Sequence, residues 1–255
     1  MRETADIETS SDDYAARFSG PVGTWMLGVQ ERAVRELLGP PGGQTLLDVG
    51  GGHAQLAGPL AHAGWRVTVQ GSDPICARRL GPLLASGTVR FFVGDILALP
   101  FPDRSFDAVV SVRLLPHCER WPALVAELCR VARRAVIVDY PTSESINRIA
   151  PALFGAKKRI EKNTRTFTLF THRQVEEAFS SRGFTPAGRR AQFFLPMVIH
   201  RALHCRPCSA ALEAICRGAG LTRRWGSPVI FKARPADTRG GGATATATAS
   251  REPSA

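Results

Sequence analysis

Residues 46–54 read Leu46-Leu47-Asp48-Val49-Gly50-Gly51-Gly52-His53-Ala54, a buried-strand composition that ends in an acid and runs straight into three glycines. Glycine permits tight turns and lets backbone N–H groups approach a ligand closely, and a helix opening just beyond presents its N-terminal donors to the same place. A plain strand-to-helix turn also uses glycine, but three of them after an acid favour a small-molecule cradle. The pattern does not continue as Gly-x-Gly-x-x-Gly, because Gln55 holds the last position, which counts against a nicotinamide dinucleotide; no Gly-Lys-Ser/Thr follows, which excludes a Walker phosphate loop. Asp73 stands 21 residues past Gly52, near the spacing of about 20 at which an acid can meet ribose hydroxyls, with an Asp-Pro turn as the plain alternative. Gly94-Asp95-Ile96-Leu97 closes another apolar run. Farther on, Ser111-Val112-Arg113-Leu114-Leu115-Pro116-His117 offers a guanidinium for an anion and an imidazole whose ordinary pKa suits a general base. His117 can equally pack on Trp121 as a loop residue.

These groups need a scaffold. Short β-branched runs alternate with helical stretches, the pattern of a parallel α/β sheet. Strands are expected over Thr45–Val49, Arg66–Gln70, Val89–Val93, Asp107–Val112 and Ala135–Asp139, with gaps long enough for crossover helices. Thr168 to Gly183 reads as a helix capped by Thr171, and Val175, Ala178 and Phe179 share one face. Apolar runs Ala191–Leu195 and Pro228–Ala233 close the domain around a helical insertion from Met197 to Arg217. The expected division is a helical lead-in or lid over 1–30, one domain over 31–236 and a disordered low-complexity tail over 237–255.

Taken together these segments resemble the class I S-adenosylmethionine-dependent methyltransferases, in particular the type 11 small-molecule group. The likeness runs from about residue 44 to 235. Asp48, Gly50 and Gly52 match the family's acid-Gly-x-Gly-x-Gly opening, with Ala54 in the place of the third glycine. The segment Gly94-Asp95 through Leu99-Pro100-Phe101-Pro102-Asp103-Arg104-Ser105-Phe106-Asp107 follows the family's Gly-Asp-x-x-x-Leu-Pro-Phe-x-Asp-x-Ser-Phe-Asp stretch. The resemblance implies a Rossmann-like fold, a mostly parallel seven-stranded sheet with helices on both faces and an antiparallel last strand. It implies S-adenosyl-L-methionine as cofactor, held by Asp48, Gly50, Gly51, Gly52, His53, Asp73, Gly94, Asp95, Ile96 and Arg113, with Asp95 accepting from the adenine amine. The family places its ribose acid at the end of the second strand, here Gln70 or Gly71, so Asp73 is displaced by about two residues. His117 is the candidate catalytic base.

Substrate contacts are expected from Tyr14, Phe18 and Trp25 in the lead-in, from the stretch 144–168 with its basic Lys157, Lys158, Arg159, Lys162 and Arg165, and from the insertion 193–217. His200, His204, Cys205 and Cys208 fall within nine residues; two separated knuckles are the usual zinc arrangement, so no metal is expected. The formal charge is +11, yet residues 1–120 carry a net −2 and residues 121–255 a net +13, nearly all arginine. That basic half suits an anionic acceptor or a peripheral membrane contact. RNA methylation is the main alternative, but the Asn/Asp-Pro-Pro-aromatic motif of base methyltransferases is missing and the basic residues lack interleaved aromatics. A cofactor-binding scaffold without turnover is the other. The polar N-terminus without an apolar core segment and six scattered cysteines point to a reducing cytoplasm. The expected acceptor is a small molecule.

Overall fold

The computed structural model describes residues 3–145 and 167–236. Seven strands form one sheet: β1 Thr45–Val49, β2 Arg66–Gly71, β3 Arg90–Val93, β4 Phe106–Ser111, β5 Ala132–Tyr140, β6 Phe184–Phe193 and β7 Ser227–Pro235. Their order is β3-β2-β1-β4-β5-β7-β6. The first five pair in parallel, and β7 runs antiparallel to both β5 and β6. This is the class I methyltransferase topology expected from the sequence, with the antiparallel last strand inserted next to the edge. The expected strand limits hold to within one to three residues at each end, β6 excepted, which begins at Phe184, seven residues before the apolar run that announced it.

Alternation along the strands divides the core into two layers, because successive side chains point to opposite faces. Leu47, Val49, Val109, Val136 and Val138 pack on one side with Leu124 and Leu128 of α6 (Trp121–Val131) and Val175 and Phe179 of α7 (His172–Ser180). Leu46, Ala108, Val110 and Ile137 face the other side, against Ala33, Val34 and Leu37 of α3 (Gly20–Leu38) and Leu60 of α4 (Ala57–His62). The near-continuous apolar runs of the central strands thus reflect burial on both faces. Thr171 caps α7 as expected, in a reciprocal arrangement with Gln174.

Two short helices, α1 (Ala5–Thr9) and α2 (Asp12–Ala16), precede α3; α5 (Gly81–Ala85) follows a 3-10 turn over Pro74–Leu80. Between β6 and β7 the chain forms α8 (Met197–Leu203), α9 (Arg206–Gly218) and α10 (Leu221–Trp225). The tail 237–255 and most of the stretch 144–168, including Lys157, Lys158, Arg159, Lys162 and Arg165, lie outside the described residues. Among the described residues no helix is long and apolar enough to cross a membrane.

The loop between β3 and β4 is held from below by one side chain. Arg130 donates to Glu127 and Asp103 and to the carbonyls of Leu99 and Phe101, while Glu127 also accepts from the Leu99 N–H at 2.7 Å. Hydrogen bonds to charged groups contribute about 1.5–3 kcal/mol each when shielded, and less at this partly exposed position. Arg130→Ala is therefore expected to lower the unfolding free energy by about 2 kcal/mol, measured by urea titration; a loss under about 0.5 kcal/mol would show the clamp to be idle.

Candidate functional site

Parallel pairing brings the C-terminal ends of β1, β2, β4 and β5 to one edge, and the sequence candidates gather there. Gly50 leaves β1 with φ +74°, a left-handed conformation that the missing Cβ allows, and its N–H donates to the Gln70 carbonyl at 2.8 Å. A 3-10 turn covers Gly51–His53. A side chain at Gly51 would collide with the Asp48 carboxylate, and one at Gly52 with Ser10 Oγ and the Cys76 carbonyl. Ala54, which stands where the family has its third glycine, also lies at φ +63°. An L residue there is strained by about 1–2 kcal/mol. Ala54→Gly is expected to raise the unfolding free energy by about 1 kcal/mol, readable by urea titration; a destabilised variant would contradict the strain.

Above the glycines stands Arg113, itself at φ +65° and only 9% exposed. Its N–H donates to Asp139 Oδ1 at 2.5 Å, and Gln30 Nε2 of α3 donates to Asp139 Oδ2 at 3.1 Å. The guanidinium lies 5.7 Å from the Tyr14 ring centroid and 5.1 Å from that of Phe18. Its Nε and Nη1 have no hydrogen-bond partner among the described residues. Burial pushes the Asp48 carboxyl up to about 7, against the opposing pull of Arg113, and Asp139 up to about 6. Burial, with Arg113 and Arg79 nearby, pushes His53 down to about 3, so its imidazole is neutral, and neither ring nitrogen is hydrogen-bonded to the described residues. Asp48, Gly50, Gly51, His53, Gln55, Leu56, Val112 and Arg113 line a small opening of about 210 Å³.

Tyr14 is the hub of the aromatic wall. Its buried ring lies 5.8 Å from Phe18, 6.1 Å from His53 and 6.2 Å from His117, each between centroids. Trp25 stands apart from this group. Its ring packs 5.3 Å from both Phe193 and His200, beside α8. Asp73 caps the turn that follows it, accepting from the Ile75 N–H at 2.9 Å. Asp95 Oδ1 accepts from the Leu97 N–H at 2.8 Å, and Ile96 is fully buried beneath. Gly94 carries its carbonyl to Gln70 Nε2 at 2.9 Å, which ties the ends of β2 and β3 together. Of the sequence candidates, Asp48, the glycines, His53, Arg113, Tyr14 and His117 converge, whereas Arg165 lies outside the described residues.

Residues with no announced role complete the edge. Asp6 of α1 is fully buried, and its carboxylate accepts from the Ser72 N–H and from Ser72 Oγ, both at 2.5 Å. Its Cβ lies against Gly50, and Ser10 lies against Gly52, so α1 stands directly on the glycine turn. Nothing in the acidic N-terminal stretch distinguishes Asp6 from its neighbours; only the fold shows it buried at the end of β2.

The raised Asp48 carboxyl makes a signed prediction. A carboxyl whose folded pKa exceeds its unfolded value holds its proton better when folded, so its contribution is full below about 4 and falls as pH rises to about 7. His53 acts oppositely between about 3 and 6.5. The difference between Asp48→Asn and the parent isolates the first effect: the variant's relative stability should grow from pH 4 to pH 7, measured by denaturant titration at each pH. A difference independent of pH would mean that Asp48 titrates normally.

Comparison with known proteins agrees with this architecture. Residues 47–138 match the family described as a methyltransferase domain. An uncharacterized methyltransferase of Mycobacterium avium is 41% identical over 91 residues, which is 36% of this chain and 36% of that relative. One from Mycobacterium bovis is 35% identical over 95 residues, or 37% of this chain and 48% of that protein. The matched region thus spans between a third and a half of these relatives' length. Among solved structures, the magnesium protoporphyrin IX methyltransferase of Synechocystis, with bound S-adenosylhomocysteine, superposes with a TM-score of 0.60 at 16% identity, over 88% of this chain and 94% of that one. The [4+2]-cyclase SpnF superposes with a TM-score of 0.55 at 21% identity, over 84% of this chain and 80% of that one. The glycine turn, the Gly94-Asp95 strand end and the 3-2-1-4-5-7-6 sheet belong together: residues 47–138 are a methyltransferase domain, carried on the class I methyltransferase fold.

Proposed function

We propose that this chain moves a methyl group from S-adenosylmethionine to a small-molecule acceptor. The observation that carries the reading is Arg113, buried over the glycine turn with two guanidinium nitrogens left without hydrogen-bond partners among the described residues. Unmet buried donors cost about 1–3 kcal/mol each, more on a charged group, so this position favours an anion, and the carboxylate of an amino-acid moiety fits it. Asp48, on the other side of the glycines, suits the matching ammonium, which would draw its carboxyl back toward ionisation. At the far end Asp95 offers an acceptor, and Ile96 an apolar surface, for a nucleobase.

The donor set therefore fits the cofactor, with one adjustment. The opening over the glycine turn is small. Asp6 and Ser10 take up the room above Gly50 and Gly52. Cofactor entry then requires α1 to lift, and the Asp6 contacts to Ser72 are the latch that opposes it.

When bound, S-adenosylmethionine supplies an electrophilic methyl on a sulfonium. What the protein must add is alignment and exclusion of water. Tyr14, Phe18 and neutral His53 form an aromatic wall suited to that task. His117, whose ring meets Tyr14 on one side and lies 5.7 Å from Phe167 on the other, is our candidate to take a proton from an acceptor hydroxyl or amine. Small acceptors are favoured by the similarity to a porphyrin methyltransferase and to a didemethyltoxoflavin N1-methyltransferase of Burkholderia thailandensis. The cyclase on the same fold is the reason to test transfer directly.

Calorimetry with S-adenosylhomocysteine tests the site. Asp95→Ala and Gly50→Arg should each weaken binding at least tenfold, with circular dichroism to confirm that both fold. Asp6→Ala should tighten it about tenfold, since a latch of about 1.4 kcal/mol corresponds to that ratio. Unchanged affinity in all three would remove the assignment. Weaker binding in Asp6→Ala would make Asp6 a ligand of the cofactor instead of its competitor.

A further inference from the structure

Away from that edge, the four residues Cys205-Arg206-Pro207-Cys208 carry a chemistry that methyl transfer does not use. Their spacing resembles half of a zinc site, although the sequence gives no second knuckle and no metal is expected there. The fold instead bonds Cys205 to Cys208 in a disulfide, so these sulfurs are not thiolate ligands. The two histidines also part company. His200 is buried against Glu213, while His204 is exposed and turns its Nδ1 toward the Ala202 carbonyl at 2.9 Å. Among the described residues no group of three or more metal-binding side chains forms.

Cys205 is the N-cap of α9, and its Sγ accepts from the Cys208 N–H at 3.4 Å. Pro207 lies in the first turn, where its missing N–H costs nothing. Cys208 is exposed and Cys205 half-buried, so an external thiol can reach the bond. The other four cysteines differ in kind. Cys76, Cys118 and Cys129 are buried, with burial pushing their thiols up to about 11, 12 and 12, and Cys216 is likewise raised. Thiolates, not thiols, exchange, and a helix N-terminus stabilises a thiolate.

We propose that Cys205 and Cys208 are a reversible dithiol–disulfide site that exchanges with low-molecular-weight thiols and disulfides. In the reducing direction an external thiolate attacks the exposed Cys208 sulfur, and the Cys205–Cys208 bond breaks. Cys205 leaves as a thiolate facing the first N–H groups of α9. A second external thiolate attacks the sulfur of the mixed disulfide's external partner, which frees Cys208 and releases the external disulfide. Two external thiols are oxidised and one protein disulfide is reduced, with the protons retained on the new protein thiols. Oxidation by a low-molecular-weight disulfide is the reverse.

The location gives the exchange a consequence. The pair closes the bend between α8 and α9, which Glu213 also fastens: its carboxylate accepts from the Phe194 and Leu195 N–H groups at 2.9 Å and meets His200 Nε2 at 3.0 Å. Arg201, on α8, lies 5.6 Å from the Phe18 ring, which itself covers Arg113. Opening the disulfide loosens the C-terminal end of the helix that backs the aromatic wall.

The test uses the full purified chain, equilibrated in buffers of varied reduced-to-oxidised glutathione ratio, blocked with N-ethylmaleimide and digested with trypsin. Arg206 precedes proline, so peptide 202–217 carries both cysteines together with Cys216. The expected result is a shift of two labels between oxidising and reducing buffers, retained in Cys216→Ser and lost in Cys205→Ser and Cys208→Ser. Hydrogen exchange over residues 197–206 should rise in the reduced protein. Three labels at every glutathione ratio, or a bond that persists in native protein under excess dithiothreitol, would overturn the proposal.

Discussion

A cation buried at the ends of three strands must have compensating charge, and much of this molecule's upper edge answers to that need. Asp139 at the end of β5 and Asp48 at the end of β1 supply only part of it, two aromatic faces stand in place of hydration, and two guanidinium nitrogens have no hydrogen-bond partner among the described residues. Asp139 binds the Arg113 N–H and in turn holds Gln30, so α3 is fixed over the same edge. Tyr14 and Phe18 come down on the guanidinium from α2 and the turn before α3, which seats α1 on the glycines. Replacing the cation would therefore disturb the lead-in as well as the pocket.

The order of the interactions also explains why both acids tolerate burial. Neither makes an ideal ion pair; each is pushed toward its protonated form by the loss of water. On the proposed reading, an incoming carboxylate and ammonium would satisfy Arg113 and Asp48 together, and the binding energy would go toward lifting α1.

Much of the sheet was legible in the sequence because its signals are local. Apolar runs such as Ala108-Val109-Val110 and Ala135-Val136-Ile137-Val138 mark strands buried on both sides, and Thr171 announces its own helix. The glycine turn and Arg113 were readable from residue type and spacing. Asp6 was not, since a carboxylate in an acidic, polar stretch looks solvated until tertiary contacts bury it. The strain at Ala54 was hidden for a related reason: its cost lies in a backbone angle that no side-chain pattern reveals. The pairing of Cys205 with Cys208 was equally hidden, because the spacing suits a metal ligand pair and a disulfide alike.

The position of β7 has a consequence for how such a protein can change. Residues Phe193 and Ser227 face each other across the β6–β7 ladder, so everything between them leaves the sheet and returns to the same point. Closing a longer excursion there costs only about 0.6 kcal/mol for each doubling of its length. The helices α8 to α10 can thus lengthen or change without altering the register of any strand that bears the glycine turn, although α8 also backs the aromatic wall. Variation can accumulate in that excursion, which leaves the sheet at the same edge as the glycine turn, while the strands themselves stay fixed.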